Sequence, residues 1–288
     1  MNLINIIKYS AKPPTIFYPL PIVPLLIVGF ARGDIYDAIF VVAFTSLFYS
    51  ALNLWNHVND YKEDFKAGKD TPFIHEKVRK ITTLYVFFAY VLAAVIYTLS
   101  SHTHYGKLAF FTVLILTFLY SDNVVTKLRL KKHYVTELLT YFICIPLFIS
   151  SLYDLVSPID STGAFLALVL LPFLISTVFI KDLKDITEDK EAGWKTLGVV
   201  FEAENLVKLF FYSNVVFYLL FSLFLLQFSK VLSSFSLIFL IVPLDYTVKS
   251  KLDCWEVNQE LAKRVQLTVY LGFIFIIFII FIILFYFK

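Results

Sequence analysis

The sequence predicts an all-α integral membrane protein, a bundle of about nine transmembrane helices with its N-terminus in the cytoplasm. Three observations predict it. Hydrophobic residues make up 59% of the 288-residue chain and charged residues only 16%, so much of the surface must face a solvent other than water. The apolar residues come in runs of roughly 20, the helix length that crosses a hydrocarbon core of about 30 Å. Lys and Arg fall on alternate loops, as they do when positive charge is retained on the cytoplasmic side.

Spans are expected, in order, near Pro13–Phe30, Ile35–Trp55, Ile81–Ser100, Lys107–Tyr120 and Val135–Val156, then near Thr162–Ile180, Leu206–Phe228, Val231–Val248 and Val265–Phe287. The fourth is short and is expected to extend into the loop after it. Helices satisfy every backbone group within lipid, whereas open strands do not. The loop after the second span carries Lys62, Lys66, Lys69, Lys77, Arg79 and Lys80, and the loop after the fourth carries Lys127, Arg129, Lys131 and Lys132. The opposite side has only Arg32, Lys107, Lys230 and the terminal Lys288. An odd number of spans then places the C-terminus outside. No small-residue cleavage site follows a short apolar core near the start, so no cleavable signal is expected. A formal charge of +3 does not argue for nucleic acid as a partner. Cys144 lies in an apolar run and Cys254 in a polar loop, which makes neither a disulfide framework nor a metal-ligand spacing.

Two acidic stretches directly follow apolar runs: "NHVNDYKEDFKAGKD" (Asn56–Asp70) and "KDLKDITEDKEAG" (Lys181–Gly193). Both follow even-numbered spans, so both face the cytoplasm, and their separation by four spans suggests two pseudo-repeats, about 13–134 and 135–264, plus a last helix, 265–287. The whole chain, 1–288, reads as one transmembrane domain. If the second span continues as helix, Asn56, Asp60 and Asp64 recur every four residues on one face, and Asp182, Asp185 and Asp189 share a face in the same way. Like charges at that spacing repel, and a helix C-terminus is unfavourable for anions, so a cation belongs among them. Oxygen donors without His or Cys fit a hard ion, Mg²⁺ foremost, which takes one or two carboxylates together with substrate phosphate oxygens. Two such clusters can hold a diphosphate, with lysines as counter-charges. A solvated acidic face is the simpler reading of one such loop; two on the same side of the membrane weaken it. Glu63, Asp70, Glu188 and Glu191 read as solvated, and the lone histidines His57 and His75 as structural or solvated.

The pattern Asn56-x-x-x-Asp60-x-x-x-Asp64, followed by Asp182-x-x-Asp185-x-x-x-Asp189, resembles the UbiA superfamily of intramembrane polyprenyltransferases. "AKPPTIFYPL" is similar to the family's Arg-Pro entry, with Lys12-Pro13 in its place. "YSDNVVTK" is similar to its Tyr-Ser…Lys segment, giving Tyr120, Ser121 and Lys127. "DLKDITEDKEAGWKTLGV" resembles it most closely, through Gly193, Lys195, Thr196 and Leu197. The resemblance implies nine helices around a central cavity open to lipid. It also implies a polyprenyl diphosphate held through Mg²⁺ on Asp60, Asp64, Asp185 and Asp189, with Asp182 beside them in catalysis, and prenyl transfer to a lipophilic acceptor with release of diphosphate. Asn56, Lys12, Lys66, Lys69, Tyr120, Ser121, Lys127 and Lys195 are the implied substrate contacts. The site would lie on the cytoplasmic side of the cell membrane. Metal ions and lysines stabilise charge developing on the leaving diphosphate, and an aromatic cavity shields an allylic cation.

The sequence departs from the family at two places. Thr71-Pro72 stands where many members have Arg-Pro after the first motif, leaving that contact absent or supplied by Lys66 or Lys69. Val124-Val125 stands near where Pro-Pro is common. "NDYKEDFKAGKDT" resembles dihydroxynaphthoate prenyltransferases, so the favoured acceptor is an aromatic quinone precursor of the 1,4-dihydroxy-2-naphthoate or 4-hydroxybenzoate type. The alternatives are a glyceryl phosphate, a tetrapyrrole or a carotenoid. From other classes, an ion-coupled transporter would carry ionisable groups inside its spans, which are here nearly free of charge. A non-catalytic membrane scaffold would tolerate replacement of Asp60 or Asp185.

Overall fold

In the computed structural model, residues 9–10, 21–66, 68–181, 183, 186–256 and 258–286 are described. All regular elements longer than a single turn among them are helices. In order they are α1 (Ile22–Phe30), α2 (Ile35–Lys66), α3 (Glu76–Ser100), α4 (His104–Ser121), α5 (Tyr134–Asp154) and α6 (Ser161–Lys181). Then come the short α7 (Ile186–Glu191) and α8 (Leu197–Val200), and the long α9 (Ala203–Leu226), α10 (Lys230–Leu252) and α11 (Gln259–Tyr286). Eight of the described helices are long and apolar enough to cross a membrane. The first expected span is described only over α1. The protein is an integral multi-pass membrane protein.

The chain divides into two compact units, 1–163 and 164–288. In the first, α1 to α5 pack around a ladder of rings. Tyr97 and Phe110 stack at 4.3 Å, Phe44 and Phe48 each meet Phe110 at 5.4 Å, and Trp55 stacks on Phe118 at 4.8 Å. The ladder ends on Trp55, whose indole N–H donates to the Phe118 carbonyl at 2.9 Å, which ties α2 to α4 one residue before Asn56. In the second unit, Phe173, Phe217, Phe221 and Phe275 are fully buried together on α6, α9 and α11. Outer faces are apolar instead: Leu84, Phe88, Val91, Val95 and Leu99 stand exposed along α3, at the spacing of one helix face. Such a face suits contact with lipid.

Two helix ends bear on the site. At 32 residues α2 is about 48 Å long by its rise per residue, so its last turns project beyond a bilayer core and carry the first acidic motif as continuous helix. The fourth span does not extend into the following loop, as its short apolar run led one to expect. It gains a turn at its start, where the Thr103 hydroxyl accepts from the Gly106 N–H at 2.9 Å, and it stops at Ser121. It stops because the buried Asp122 carboxylate accepts from the N–H groups of Val124, Val125 and Thr126 at 2.9, 2.9 and 2.5 Å, binding the chain in a turn.

Candidate functional site

The first motif occupies the projecting end of α2. Asn56, Asn59, Asp60, Glu63 and Asp64 follow one another at three- and four-residue spacing, as a helix places neighbours on a face. Asn56 is half-buried and accepts a hydrogen bond at its side-chain oxygen from the Ser121 hydroxyl. Asn59 is buried: its amide donates to the Trp55 carbonyl at 2.8 Å and its oxygen accepts from the Asn123 N–H at 2.8 Å. The Asp122 turn is therefore held directly against the motif. Burial would raise the Asp122 pKa, but the hydrogen bonds from Val125, Thr126 and Val124 outweigh it and hold the carboxyl below its usual range.

Cations reach Asp60 from the far end of this loop. Arg129 is almost fully buried and bridges Asp60 Oδ1 and Glu63 Oε1, both at 2.7 Å, while Lys131 Nζ pairs with Asp60 Oδ2. Burial would depress the Arg129 pKa, but the Glu63 and Asp60 carboxylates more than offset that and raise it. Lys127 and Arg129 both take left-handed backbone, with φ of 61° and 49°, which turns the chain back so that Arg129 and Lys131 point at α2. Lys127, the residue implied by the family segment, stands exposed, and the cations this loop brings to the motif are Arg129 and Lys131. Glu63, expected as solvated, is instead an ion-pair partner of Arg129.

Asp64 is differently placed. His57 Nδ1 and Lys69 Nζ each approach it only to 3.7 Å, so its oxygens can take a further cation. His57 lies against Phe73, ring centroids 6.1 Å apart and nearly parallel. Lys66 is exposed. Tyr120 and Ser121 are buried at the end of α4, where Tyr120 donates to Glu137 Oε1 at 2.7 Å. In the second motif, Asp189 accepts from the Thr196 hydroxyl at 2.8 Å and Lys195 is exposed. Lys12, Asp182 and Asp185 lie outside the described residues.

The two motifs end alike. Gly68, with φ of 72°, donates its N–H to Phe65 O at 3.1 Å, and Lys69 donates to Asp64 O at 2.9 Å. Gly193, also with φ of 72°, donates to Lys190 O at 3.1 Å, and Trp194 donates to Asp189 O at 2.9 Å. This is the Schellman cap, which needs a left-handed residue and so favours glycine. The sequence carries the likeness further: Asp64-x-x-Ala67-Gly68-x-x-Thr71 matches Asp189-x-x-Ala192-Gly193-x-x-Thr196, an alignment that pairs Asp60 with Asp185. Sequence reasoning missed this repeat, as it missed Asn59, Arg129 and Lys131.

Among the described residues no three His, Cys, Asp or Glu side chains converge on one point. The donors nevertheless fit Mg²⁺, which is commonly held by one or two carboxylates, waters and substrate phosphate oxygens rather than by a protein cage. Asp64 is open to it. Asp60 would join by exchanging Lys131 or Arg129 for the ion.

The model of the UbiA prenyltransferase family matches residues 20–269. An uncharacterised protein of Archaeoglobus fulgidus is 29% identical over 284 residues, covering 94% of this chain and 96% of its own length. A solved UbiA homologue from Archaeoglobus fulgidus, bound to DMAPP and Mg²⁺, superposes with a TM-score of 0.63 at 16% identity over 94% of this chain and 98% of that one. A digeranylgeranylglyceryl phosphate synthase superposes with a TM-score of 0.64 at 17% identity, over 90% of this chain and 91% of that one. With the family model spanning most of the chain, this protein belongs to the UbiA prenyltransferase family.

Proposed function

We propose that this protein transfers a polyprenyl group from a polyprenyl diphosphate to a lipophilic acceptor, with Mg²⁺, at the cytoplasmic ends of its helices. The observation that carries the reading is the end of α2, where Asp60 and Asp64 share one helical surface that Arg129, Lys131 and Lys69 approach from neighbouring segments. Carboxylates beside cations bind a metal and an anion together. Asp60 and Asp64, with Asp185 and Asp189 of the second motif, would hold the metal, and Asp182 would act with them in catalysis. Bound Mg²⁺ would supply charge to the departing diphosphate oxygens. Arg129, Lys131, Lys66, Lys69, Lys195 and Lys12 would neutralise the remaining phosphate charge, with Arg129 offering a fork of donors. Asn56, oriented by Ser121, would fix a phosphate oxygen or a water. The C1–O bond breaks with its electron pair leaving on diphosphate. The allylic carbon bonds the acceptor, and the acceptor loses a proton. The solved relatives bound to DMAPP or GPP with Mg²⁺ support the donor class.

The acceptor is an aromatic quinone precursor, a reading supported by "NDYKEDFKAGKDT". A second reading, a glyceryl phosphate, draws support from the likeness to digeranylgeranylglyceryl phosphate synthase. Purified protein in detergent with labelled geranylgeranyl or farnesyl diphosphate and Mg²⁺, offered 4-hydroxybenzoate, 1,4-dihydroxy-2-naphthoate or geranylgeranylglyceryl phosphate, separates them by product. Asp60→Ala and Asp185→Ala should each abolish transfer while the protein still inserts. Normal diphosphate release by both variants overturns the reading.

A further inference from the structure

The two aspartates of the first motif are not equally ready for a metal ion. Beside Asp64, His57 Nδ1 and Lys69 Nζ both stop at 3.7 Å. At Asp60 both oxygens are engaged: Oδ1 accepts from Arg129 Nη2 at 2.7 Å, and Oδ2 pairs with Lys131 Nζ. A divalent ion brought to Asp60 therefore meets two positive charges of the chain itself. Their repulsion opposes the ion, and the carboxylate must give up part of its pairing to receive it.

The two cations are held differently. Arg129 is 2% exposed, donates through Nη1 to Glu63 Oε1 at 2.7 Å and through Nη2 to the Asn59 carbonyl at 3.4 Å. A second carboxylate and a backbone oxygen thus keep its planar fork in place when Asp60 shifts. Lys131 reaches Asp60 with an ammonium on a flexible four-carbon stem, whose three donors turn freely toward another acceptor. Lys131 is thus the cation able to yield. Its side chain is only 10% exposed, so loss of the Asp60 carboxylate leaves buried positive charge less well matched. A phosphate oxygen restores the match, because phosphate accepts charge-assisted hydrogen bonds as a carboxylate does.

We infer that Lys131 is a resident counter-ion of Asp60 that competes with the metal and yields when a phosphate anion arrives with it. This deepens the prenyl-transfer reading above and rests on it for the identity of the anion. Asp64 is open to metal in the absence of phosphate, whereas Asp60 is kept closed by its own chain. Metal and diphosphate then strengthen each other's binding through a single ion pair, and linkage makes the effect reciprocal. Arg129, anchored on Glu63, stays to meet the phosphate.

The test reads metal binding, not turnover. Full-length protein in detergent is dialysed to equilibrium at neutral pH against radiolabelled Mn²⁺, with and without inorganic pyrophosphate. Mn²⁺ complexed in solution is equal on both sides, so only metal retained by the protein is counted. Wild type should bind Mn²⁺ about fivefold or more tightly with pyrophosphate present. Lys131→Met, which keeps the packing of the stem, should bind Mn²⁺ alone about tenfold or more tightly than wild type, the scale on which one adjacent charge shifts a carboxylate. It should also gain less from pyrophosphate. Lys62→Gln removes an exposed charge from the same stretch of α2 and should stay within about twofold of wild type. In an Asp60→Asn background, Lys131→Met should no longer tighten Mn²⁺ binding. Lys131→Gln replaces Lys131→Met if the latter does not fold, and Lys131→Arg should restore wild-type binding. Three results overturn the inference: no tightening of Mn²⁺ binding in Lys131→Met, an equal tightening in Lys62→Gln, or a tightening that persists without the Asp60 carboxylate. So does a wild type indifferent to pyrophosphate. A wild type that meets every binding expectation yet releases no diphosphate from geranylgeranyl diphosphate defeats the prenyl-transfer reading instead, and leaves the counter-ion role standing.

Discussion

Asp122 does two things with one carboxylate: it ends α4, and it holds the loop that presents Arg129 and Lys131 to Asp60. Its pKa is held below the ordinary value, so its contribution to stability is complete above the unfolded pKa of about 4 and fades as pH falls through the lower folded value. Asp122→Asn should therefore cost about 1–3 kcal/mol near neutral pH, the worth of hydrogen bonds to a charged group. The deficit in thermal unfolding in detergent should narrow below about pH 4; a deficit that stays constant into acid would contradict the assignment. At this scale the aspartates of the first motif were legible, because a four-residue period on a helix shows directly in the sequence. Arg129 and Lys131 were not, because their approach depends on left-handed backbone at Lys127 and Arg129, which no glycine marks. Asn59 was hidden as well, since a polar residue beside acidic ones reads as solvated until its burial is seen.

At the scale of elements, the apolar runs located the spans within a few residues, and the misjudged end of α4 shows the limit of that signal. Hydropathy measures what lipid will accept, whereas the stopping point was set by a local cap. The Schellman glycines Gly68 and Gly193 stand four residues past each last aspartate, a signal present in the sequence but missed, and they define how both motifs leave their helices. The other end of the first unit depends on a different glycine. Gly106 of α4 faces Asp154 of α5 so closely that an added Cβ would lie 2.0 Å from Asp154 Oδ2. Asp154 is fully buried and accepts from the Thr103 hydroxyl at 2.7 Å and from Tyr97 at 3.4 Å. Gly106→Ala should displace that carboxylate and destabilise the protein by about 1–3 kcal/mol, the usual cost of overpacking, visible as a lower unfolding temperature in detergent. An unchanged melting temperature would mean that α4 and α5 separate there without penalty.

At the scale of the whole molecule, charge asymmetry between loops makes a topological prediction that two native cysteines can test. Cys254 is exposed in the loop after α10, which the positive-inside pattern places in the cytoplasm, and Cys144 is buried within α5. A membrane-impermeant maleimide should label Cys254 in inverted vesicles and leave it untouched in right-side-out ones, with Cys144 unreactive in both. The reverse labelling would invert the assigned orientation. Spans were open to sequence reading because the bilayer imposes them on composition, residue by residue. The ion pairs at the first motif have a further consequence for biogenesis. Asp60 and Glu63 are matched by Arg129 and Lys131, two anions by two cations, so this corner is electrically balanced before any ion arrives. Zinc fingers are unfolded until they are loaded; here Asp60 and Glu63 are already held by cations of the chain itself.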